Sequence, residues 1–472
     1  MPDGSIVGLA EELIGELNTA TNPRSNFGTV KRYLDGDHDR PYTPRGARQE
    51  YKKLADKAIT NWLPLISDTY VKGLFVDGYR PARSTTNSAA WKHWQANRMD
   101  ARQSIIHRST LEYGVGYALV LPGTPSPLIR PVHAMRAVAF YEDDDDEWAR
   151  HALRYKGTAT DGAKLYELFT ATAVHTIAVS RDASKPVLRG TDEHNLGYVP
   201  LVRYRERLEG SVGIIRPLIV LQDRINEAVF SLLVALQFAS FRQRWATGLA
   251  IPLEEEKTLP DGSENPNYGK PVEPFEAAVD RLWVTDSPEA KFGDFAQTEV
   301  GGHLETYGSG VRSLAAIAQL SPHVLLGDLV NLSADALAAA EAATQRKIGE
   351  YETTFGEAHE QLLRLAAHAA NDSAGAQDTA AQVRWRDTEA RSLAAAVDAL
   401  GKMVQMLGVP AEGAWERIPG VTDQDIERWR GMATSSDGLA QLAAAIERQS
   451  ATPTNATTAS TTTASTTTAQ AA

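Results

Sequence analysis

Between Ser211 and Arg244, apolar residues recur at steps of three and four: Leu218, Leu221, Ile225, Val229, Leu232 and Leu236. That spacing marks one face of an α-helix. Unbroken over this run, such a helix would reach about 50 Å at 1.5 Å per residue, unusual for a globular domain. Pro217 falls near the first turns, where its missing N–H does little harm. A rod with a single apolar stripe cannot cover that stripe by itself, so the fold must supply a second surface.

What flanks the rod changes character. Residues 1–48 are polar and turn-rich, with one helical stripe at Ile6, Leu9, Leu13, Ile14 and Leu17. Glu50–Val76 reads as a helix, with Pro64 starting, kinking or restarting it. Trp91–Tyr117 is a second helical stretch, after which Gly114 and Gly116 permit a turn into the strand-like Tyr117–Leu121. From Leu128 to Tyr204 short alternating runs take over, at Ala137–Tyr141, Ala152–Tyr155, Leu165–Phe169 and Val174–Val179. Turn clusters at Thr160–Gly162 and Asp182–Lys185 separate them, the pattern of an antiparallel sheet.

Beyond the rod, Gly248–Ala296 is rich in Pro, Gly and Glu, with a strand candidate at Arg281–Val284. Helix returns at Gly302–Leu320, stops at Ser321–Pro322, and resumes from Ser333, an expected N-cap, to Ala370. Thr388–Leu407 reads as a helix closed by Gly408 and Pro410. Short helices follow at Thr422–Arg430, where Thr422 and Asp425 resemble a capping box, and at Asp437–Gln449. Residues 450–472 are an uncharged Thr/Ala/Ser tract, expected to stay disordered. The fold class expected is α+β, mainly α.

Composition narrows the chemistry. The 472 residues contain no cysteine, which removes disulfides, thiolate metal sites and cysteine nucleophiles. No signal peptide is read at the N-terminus, and the most apolar stretch, Ala228–Phe241, is too short to span a bilayer. A formal charge of −12 argues against tight binding through phosphates, which needs a basic surplus. It suits a surface past which nucleic acid slides, and equally an ordinary acidic protein.

Catalytic and ligand motifs fail on inspection. Asp35-Gly36-Asp37-His38-Asp39 alternates acids like a calcium loop, but Arg40 stands where glycine is needed and Gly46 where glutamate is needed. A surface turn is the better reading. His359-Glu360 opens like a zinc-protease helix, yet Leu363 occupies the partner position, so a solvent-facing helix turn is expected. Gly269-Lys270-Pro271 is no phosphate loop, and Gly308-Ser309-Gly310 no nucleophile elbow. The acidic run Glu142–Glu147 reads as a solvated loop before a cation site. Trp91 and Trp94 read as core anchors rather than a base-stacking platform. Arg242 and Arg244, ending the rod, suit the negative end of the helix dipole as well as a DNA-facing role. No catalytic, cofactor or metal site is assigned.

The order of parts is more distinctive than any motif. An α/β region leads into a rod, a Pro/Gly-rich module, a returning helix, a Ser-Pro break and another long helix. That succession resembles the tailed-phage portal family, of the type found in siphophages of actinobacteria. Tyr33-Leu34-Asp35-Gly36-Asp37-His38 looks like the family's early Y-x-x-G-x-H turn, and Leu221-Gln222-Asp223-Arg224-Ile225-Asn226 like its L-Q-D-x-I-N stem opening. Asn61-Trp62 through Asp68-Thr69 with Leu74–Tyr79 is similar to its first wing helix and strand. Asp146–Tyr155, Leu165-Tyr166 and His194–Val202 are similar to its wing sheet. Ser321–Asp328 with Asn331–Asp335 is similar to the segment around its tunnel loop.

The resemblance implies a portal fold with an α/β wing, a long-helix stem, a small α/β clip and a helical crown. It divides the chain into an N-terminal arm (1–27), wing (28–210), stem helix (211–247), clip (248–298), second stem helix (299–320), tunnel loop (321–332), long wing helix and connection (333–387), crown (388–449) and tail (450–472). It implies a homo-oligomeric ring, typically a dodecamer, and no enzymatic activity. The partners implied are a large terminase, major capsid and scaffolding proteins, head-completion or tail adaptor proteins, and double-stranded DNA passing without sequence specificity; no membrane is involved. His323, Val324, Leu325, Leu326, Asp328 and Asn331 would lie near DNA, and Glu273, Asp280 and Trp283 in the motor-docking clip. The competing readings are another structural head protein, a metal-dependent hydrolase built on the acidic run, and a helical scaffold unrelated to phage.

Overall fold

The computed structural model describes residues 5–45, 49–81, 84, 86–181, 185–210, 212–240, 244–248, 253–271, 289–294, 300–327, 334–387, 393–415, 417–418 and 420–436. The chain divides into two compact units, residues 1–386 and 387–472.

The first unit opens with α1 (Ile6–Ala20), whose first free N–H groups are capped by Ser5, the Oγ accepting from the Gly8 amide. Next come α2 (Asn26–Leu34), α3 (Gln49–Lys57), α4 (Leu63–Gly73) and β1 (Val76–Arg80). The helix expected over Glu50–Val76 is thus two helices, and Pro64 sits in the opening turn of the second, where its ring costs nothing. Likewise the Trp91–Tyr117 stretch is α5 (Trp91–Ala96) and α6 (Met99–Tyr113), separated by Arg98 at φ 54°. Gly114, at φ 84°, ends α6 in the left-handed conformation that glycine adopts freely, and the chain turns into β2 (Val115–Leu121).

Strands follow as the alternation requires: β3 (Leu128–Val132), β4 (Ala137–Phe140), β5 (His151–Thr158), β6 (Lys164–Phe169), β7 (Ala173–Val179), β8 (Val187–Glu193) and β9 (Leu201–Arg205). β4 to β8 form one antiparallel meander in sequence order, while β2 lies between β3 and β9 in a second sheet. The polar N-terminal segment is no loose arm. The stripe Ala10, Leu13, Ile14 and Leu17 of α1 is buried against Leu153, Tyr166, Leu168 and Ile177 of the meander, so α1 forms a layer of that sheet.

The rod is shorter than its periodicity predicts. Arg216–Leu218 is a 3₁₀ turn carrying Pro217, and the helix proper, α7, spans Ile219–Ser240, about 33 Å. Arg244 lies in a strand, β10 (Arg244–Thr247), paired antiparallel with β11 (Lys291–Asp294). Helix α8 (Gly301–Ile317) packs on α7, and a glycine permits the close approach: a Cβ at Gly310 would sit 3.1 Å from the Ile225 side chain. The short α9 (Pro322–Leu326) leads to α10 (Ala334–Ala369), 36 residues and about 54 Å long, the true long rod among the described residues. Its buried face, Ile348, Tyr351, Phe355, Leu362 and Ala366, runs through the main core with α4, α6 and β9.

After α11 (Ser373–Gln377), the chain returns as β12 (Gln382–Trp385) to pair antiparallel with β1, Val76 opposite Trp385 and Arg80 opposite Gln382. Asp77 receives both Arg384 (2.9 Å) and Arg386 (3.1 Å) across this pair. The second unit holds α12 (Leu393–Leu407), closed by Gly408 at φ 64°, α13 (Ala411–Trp415) and α14 (Asp423–Ser436). The expected capping box is present: Thr422 Oγ1 accepts from the Asp425 amide, and the Asp425 carboxylate accepts from the Thr422 amide and hydroxyl. The strand candidate Arg281–Val284, the N-cap Ser333, Arg242, the helix Asp437–Gln449 and the tail lie outside the described residues.

Candidate functional site

Three segments distant in sequence meet at the foot of α7. The α2 helix ends in a Schellman turn, with Gly36 at φ 85°, the Asp37 amide donating to Arg32 O and the Gly36 amide to Tyr33 O. That turn presents His38, which is buried. Its Nε2 lies 2.9 Å from Tyr33 O and its Nδ1 2.9 Å from the Asn226 side-chain nitrogen. The carbonyl needs a donor and the amide nitrogen needs an acceptor, so His38 is the neutral imidazole protonated on Nε2.

The same Asn226 accepts at Oδ1 from the Thr60 amide and from Gln222 Nε2, and Gln222 in turn accepts from the Trp62 amide and donates to Thr60 O. Asn61 Nδ2 donates to Tyr33 O and Leu34 O. The Tyr33 hydroxyl, 2.8 Å from Asp223, donates to its carboxylate. Burial raises the Asp223 carboxyl, an effect that the Tyr33 bond opposes. Gln222 and Asn226 lie one helical turn apart, so both reach the α2 turn and the segment before α4. The result is a polar clamp fastening the first two turns of α7, where Ile219 and Ile225 are also buried. Further along, Leu232 and Val229 are half-covered and Leu236 is 43% exposed.

A second construction lies at the far end of α8. The helix closes with Gln319 at φ 55°, the Leu320 amide donating to Ala315 O and the Gln319 amide to Ala316 O. This is a Schellman motif whose left-handed position carries glutamine in place of the usual glycine. The carbonyls of the two residues that follow the helix each have a donor from elsewhere. The Tyr70 hydroxyl of α4 donates to Ala318 O, and Thr344 Oγ1 of α10 donates to Gln319 O at 3.0 Å. Ser321 then starts α9 in extended conformation with Pro322 behind it, and Gly327 at φ 71° ends it.

Of the expected channel residues, His323, Val324, Leu325 and Leu326 therefore form one helical turn rather than a loop. His323 Nδ1 lies 2.6 Å from Ser321 Oγ and its Nε2 3.6 Å from Glu341 of α10. Leu325 is 5% exposed and belongs to the main core; Leu326 packs against it. Asp328 and Asn331 lie outside the described residues, as do Glu273, Asp280 and Trp283.

Sequence reasoning missed a fully buried histidine. His359, expected on a solvent-facing turn, is fully buried where α10 crosses α6 and β9. Its Nε2 lies 2.8 Å from His107 Nε2, and its Nδ1 2.9 Å from the Tyr204 hydroxyl. Trp94, Phe355 and Trp385 ring the pair. Burial lowers the His107 pKa to about 3 and pushes that of His359 well below its ordinary value. Spacing carried the signal: His359 continues the stripe Tyr351, Phe355, Leu362 and Leu363. Trp94 is a core anchor, stacked on Trp91 at 5.4 Å.

The acidic run is an exposed loop between β4 and β5, and Glu142, Asp144 and Glu147 of it meet arginines. Asp144 meets Arg203 (2.9 Å) and Arg205 (3.4 Å), Glu142 meets Arg150, and Glu147 meets Arg364. Among the described residues no group of three or more His, Asp or Glu side chains is placed to hold a metal ion, and no helix is long and apolar enough to cross a membrane.

Residues 17–438 match the model of the family described as phage portal protein, SPP1 Gp6-like. The chain belongs to this phage portal family. It is 24% identical over 359 residues to the portal protein of Mycobacterium phage D29, covering 72% of this chain and 71% of that protein. It is 22% identical over 356 residues to the portal protein of Mycobacterium phage L5, with the same coverage. A solved chain in the neck of an empty gene transfer agent particle is 13% identical, covering 82% of this chain and 91% of that chain, with a TM-score of 0.46. A second, from the neck of the native particle, is 12% identical, covering 82% and 96%, with a TM-score of 0.39. The portal match spans the α2 turn, the clamp, both helices α7 and α8, and α10.

Proposed function

We propose that this portal-family chain assembles into a closed ring at a capsid vertex, through which double-stranded DNA enters and leaves. The family match over residues 17–438 is the observation that carries this reading. Within it, residues 28–210 form the wing, 211–247 and 299–320 the stem, 248–298 the clip, 321–332 the channel segment, 333–387 the long wing helix and 388–449 the crown. The half-covered outer stripe of α7 supports the assignment, because a neighbouring copy in a ring would complete its cover.

The chain's charge of −12 would total about −144 in a dodecamer. Such a channel repels phosphates and lets DNA slide without sequence-specific contacts. The part is mechanical: conduit, valve and docking platform, with ATP hydrolysis supplied by a separate large terminase. Capsid and scaffolding proteins would meet the wing, and terminase and later head-completion proteins the clip, through Glu273, Asp280 and Trp283. His323, Val324, Asp328 and Asn331 would border the channel. Leu325 and Leu326 would act from behind, holding that segment to the core.

Negative-stain imaging of the purified protein tests the reading. Rings with a central hole support it. A chain that stays monomeric under capsid-assembly conditions overturns it.

A further inference from the structure

The corner between α8 and α9 is held by contacts that its own sequence does not supply. Gln319 occupies a left-handed conformation at φ 55°, which side-chain-bearing residues adopt only where the surroundings enforce it. A helix end of this kind leaves carbonyls that need donors. Here Ala318 O receives the Tyr70 hydroxyl from α4, and Gln319 O receives Thr344 Oγ1 from α10. The two donors come from elements far apart in sequence, and Tyr70 and Tyr351 of α10 meet edge to face at 5.7 Å. Tyr70 is 2% and Thr344 7% exposed, so both donors reach the corner from inside the fold.

We infer that Tyr70 and Thr344 are positioning residues which, by holding the two carbonyls of the Ala318–Gln319 corner, fix where the segment after α8 projects into the channel. The inference rests on the portal reading above and adds to it the residues that aim the channel segment. Neither hydroxyl touches DNA. Each acts through the peptide groups at the root of α9, whose far end, Gly327, is exposed. With both donors gone, the two carbonyls of this part-exposed corner lose their partners within the fold, and the corner gains by relaxing toward other conformations in which water reaches them. α9 then samples several positions in place of one.

The test uses assembled rings of the full chain. Because the protein has no cysteine, a nitroxide at Val324→Cys reports distances between subunits without background labels. The parent ring and Thr344→Ser, which keeps the hydroxyl, are expected to give one narrow distance distribution. Tyr70→Phe combined with Thr344→Val is expected to broaden it at least about twofold, since each lost bond opens alternatives of comparable energy. Particles carrying the double variant are expected to retain several-fold less nuclease-protected DNA per incorporated ring, with Thr344→Ser restoring it. A parent-like distance distribution in double-variant rings overturns the inference. So does a loss of packaged DNA that merely follows a loss of rings. If the parent chain yields no rings and no intersubunit distance at all, it is the portal reading that fails.

Discussion

His107 and His359 face each other through their Nε2 atoms at 2.8 Å, in the centre of the crossing between α6 and α10. One ring must donate and the other accept, so the accepting ring must be neutral, and protonating both breaks the contact. The folded His107 pKa, about 3, lies below the unfolded value near 6.5. The unfolded chain therefore binds more protons throughout the window from about 6.5 down to 3, and stability falls as pH drops through it. Each titrating group removes about 1.4 kcal/mol per pH unit in that window. Urea unfolding at stepped pH checks this: the midpoint is expected to hold steady above pH 7 and to fall below 6.5. The double variant His107→Gln, His359→Gln should show a shallower acid slope.

The clamp at the foot of α7 concentrates its bonds on one side chain. Asn226→Leu removes the partner of His38 Nδ1, of the Thr60 amide and of Gln222 at once. Buried groups left without partners are expensive, so the expected loss is about 2–4 kcal/mol in denaturant unfolding. Glu227→Gln, exposed on the same helix, is expected to change stability by less than about 0.5 kcal/mol.

At the α8 corner, the conformation is worth keeping and the residue is not. Gln319→Gly retains the Schellman turn while removing the left-handed strain, and is expected to stabilise the chain by about 0.5–1 kcal/mol. Gln319→Val places a β-branched side chain at φ 55°, and is expected to cost more than about 1 kcal/mol. Differential scanning calorimetry would show the two midpoints moving in opposite directions.

Gly28 marks a point where α2 touches its own approach. An added Cβ would lie 2.0 Å from Asn22 O and 2.6 Å from Pro23 Cα, both backbone atoms. Neither can swing aside as a side chain would. Gly28→Ala is expected to destabilise by about 2 kcal/mol or more and to loosen the Ser25 cap on the Gly28 amide. Amide exchange at the start of α2 measures this locally.

Much of the architecture was readable because it is written in local periodicity. The meander from Ala137 to Val179, the Ser321–Pro322 break and the Thr422–Asp425 cap all announce themselves within a few residues. The failures share a different cause. The periodicity overstates the rod because apolar spacing continues through Leu218, while Pro217 tightens that turn into 3₁₀ geometry. β12 escaped notice because four residues of mixed polarity become a strand only through β1, far away in sequence. His359 reads as a solvent residue by its type, whereas its position in the stripe buries it. The motifs Tyr33–His38 and Leu221–Asn226 were each visible, but that Asn226 grips His38 is a fact of tertiary structure. The Tyr70 and Thr344 contacts left no trace in the sequence, since a single hydroxyl on a helix is commonplace.

The pairing of β1 with β12 also sets a timetable for biosynthesis. Asp77 leaves the ribosome 309 residues before Arg386, one of the two arginines that pair with it. At about 5–20 residues per second, the nascent chain waits about 15–60 s with that strand edge open. The large N-terminal unit thus finishes folding only after Arg386 has been translated, and chains terminated before it are left with an unmatched edge for chaperones or proteases to find.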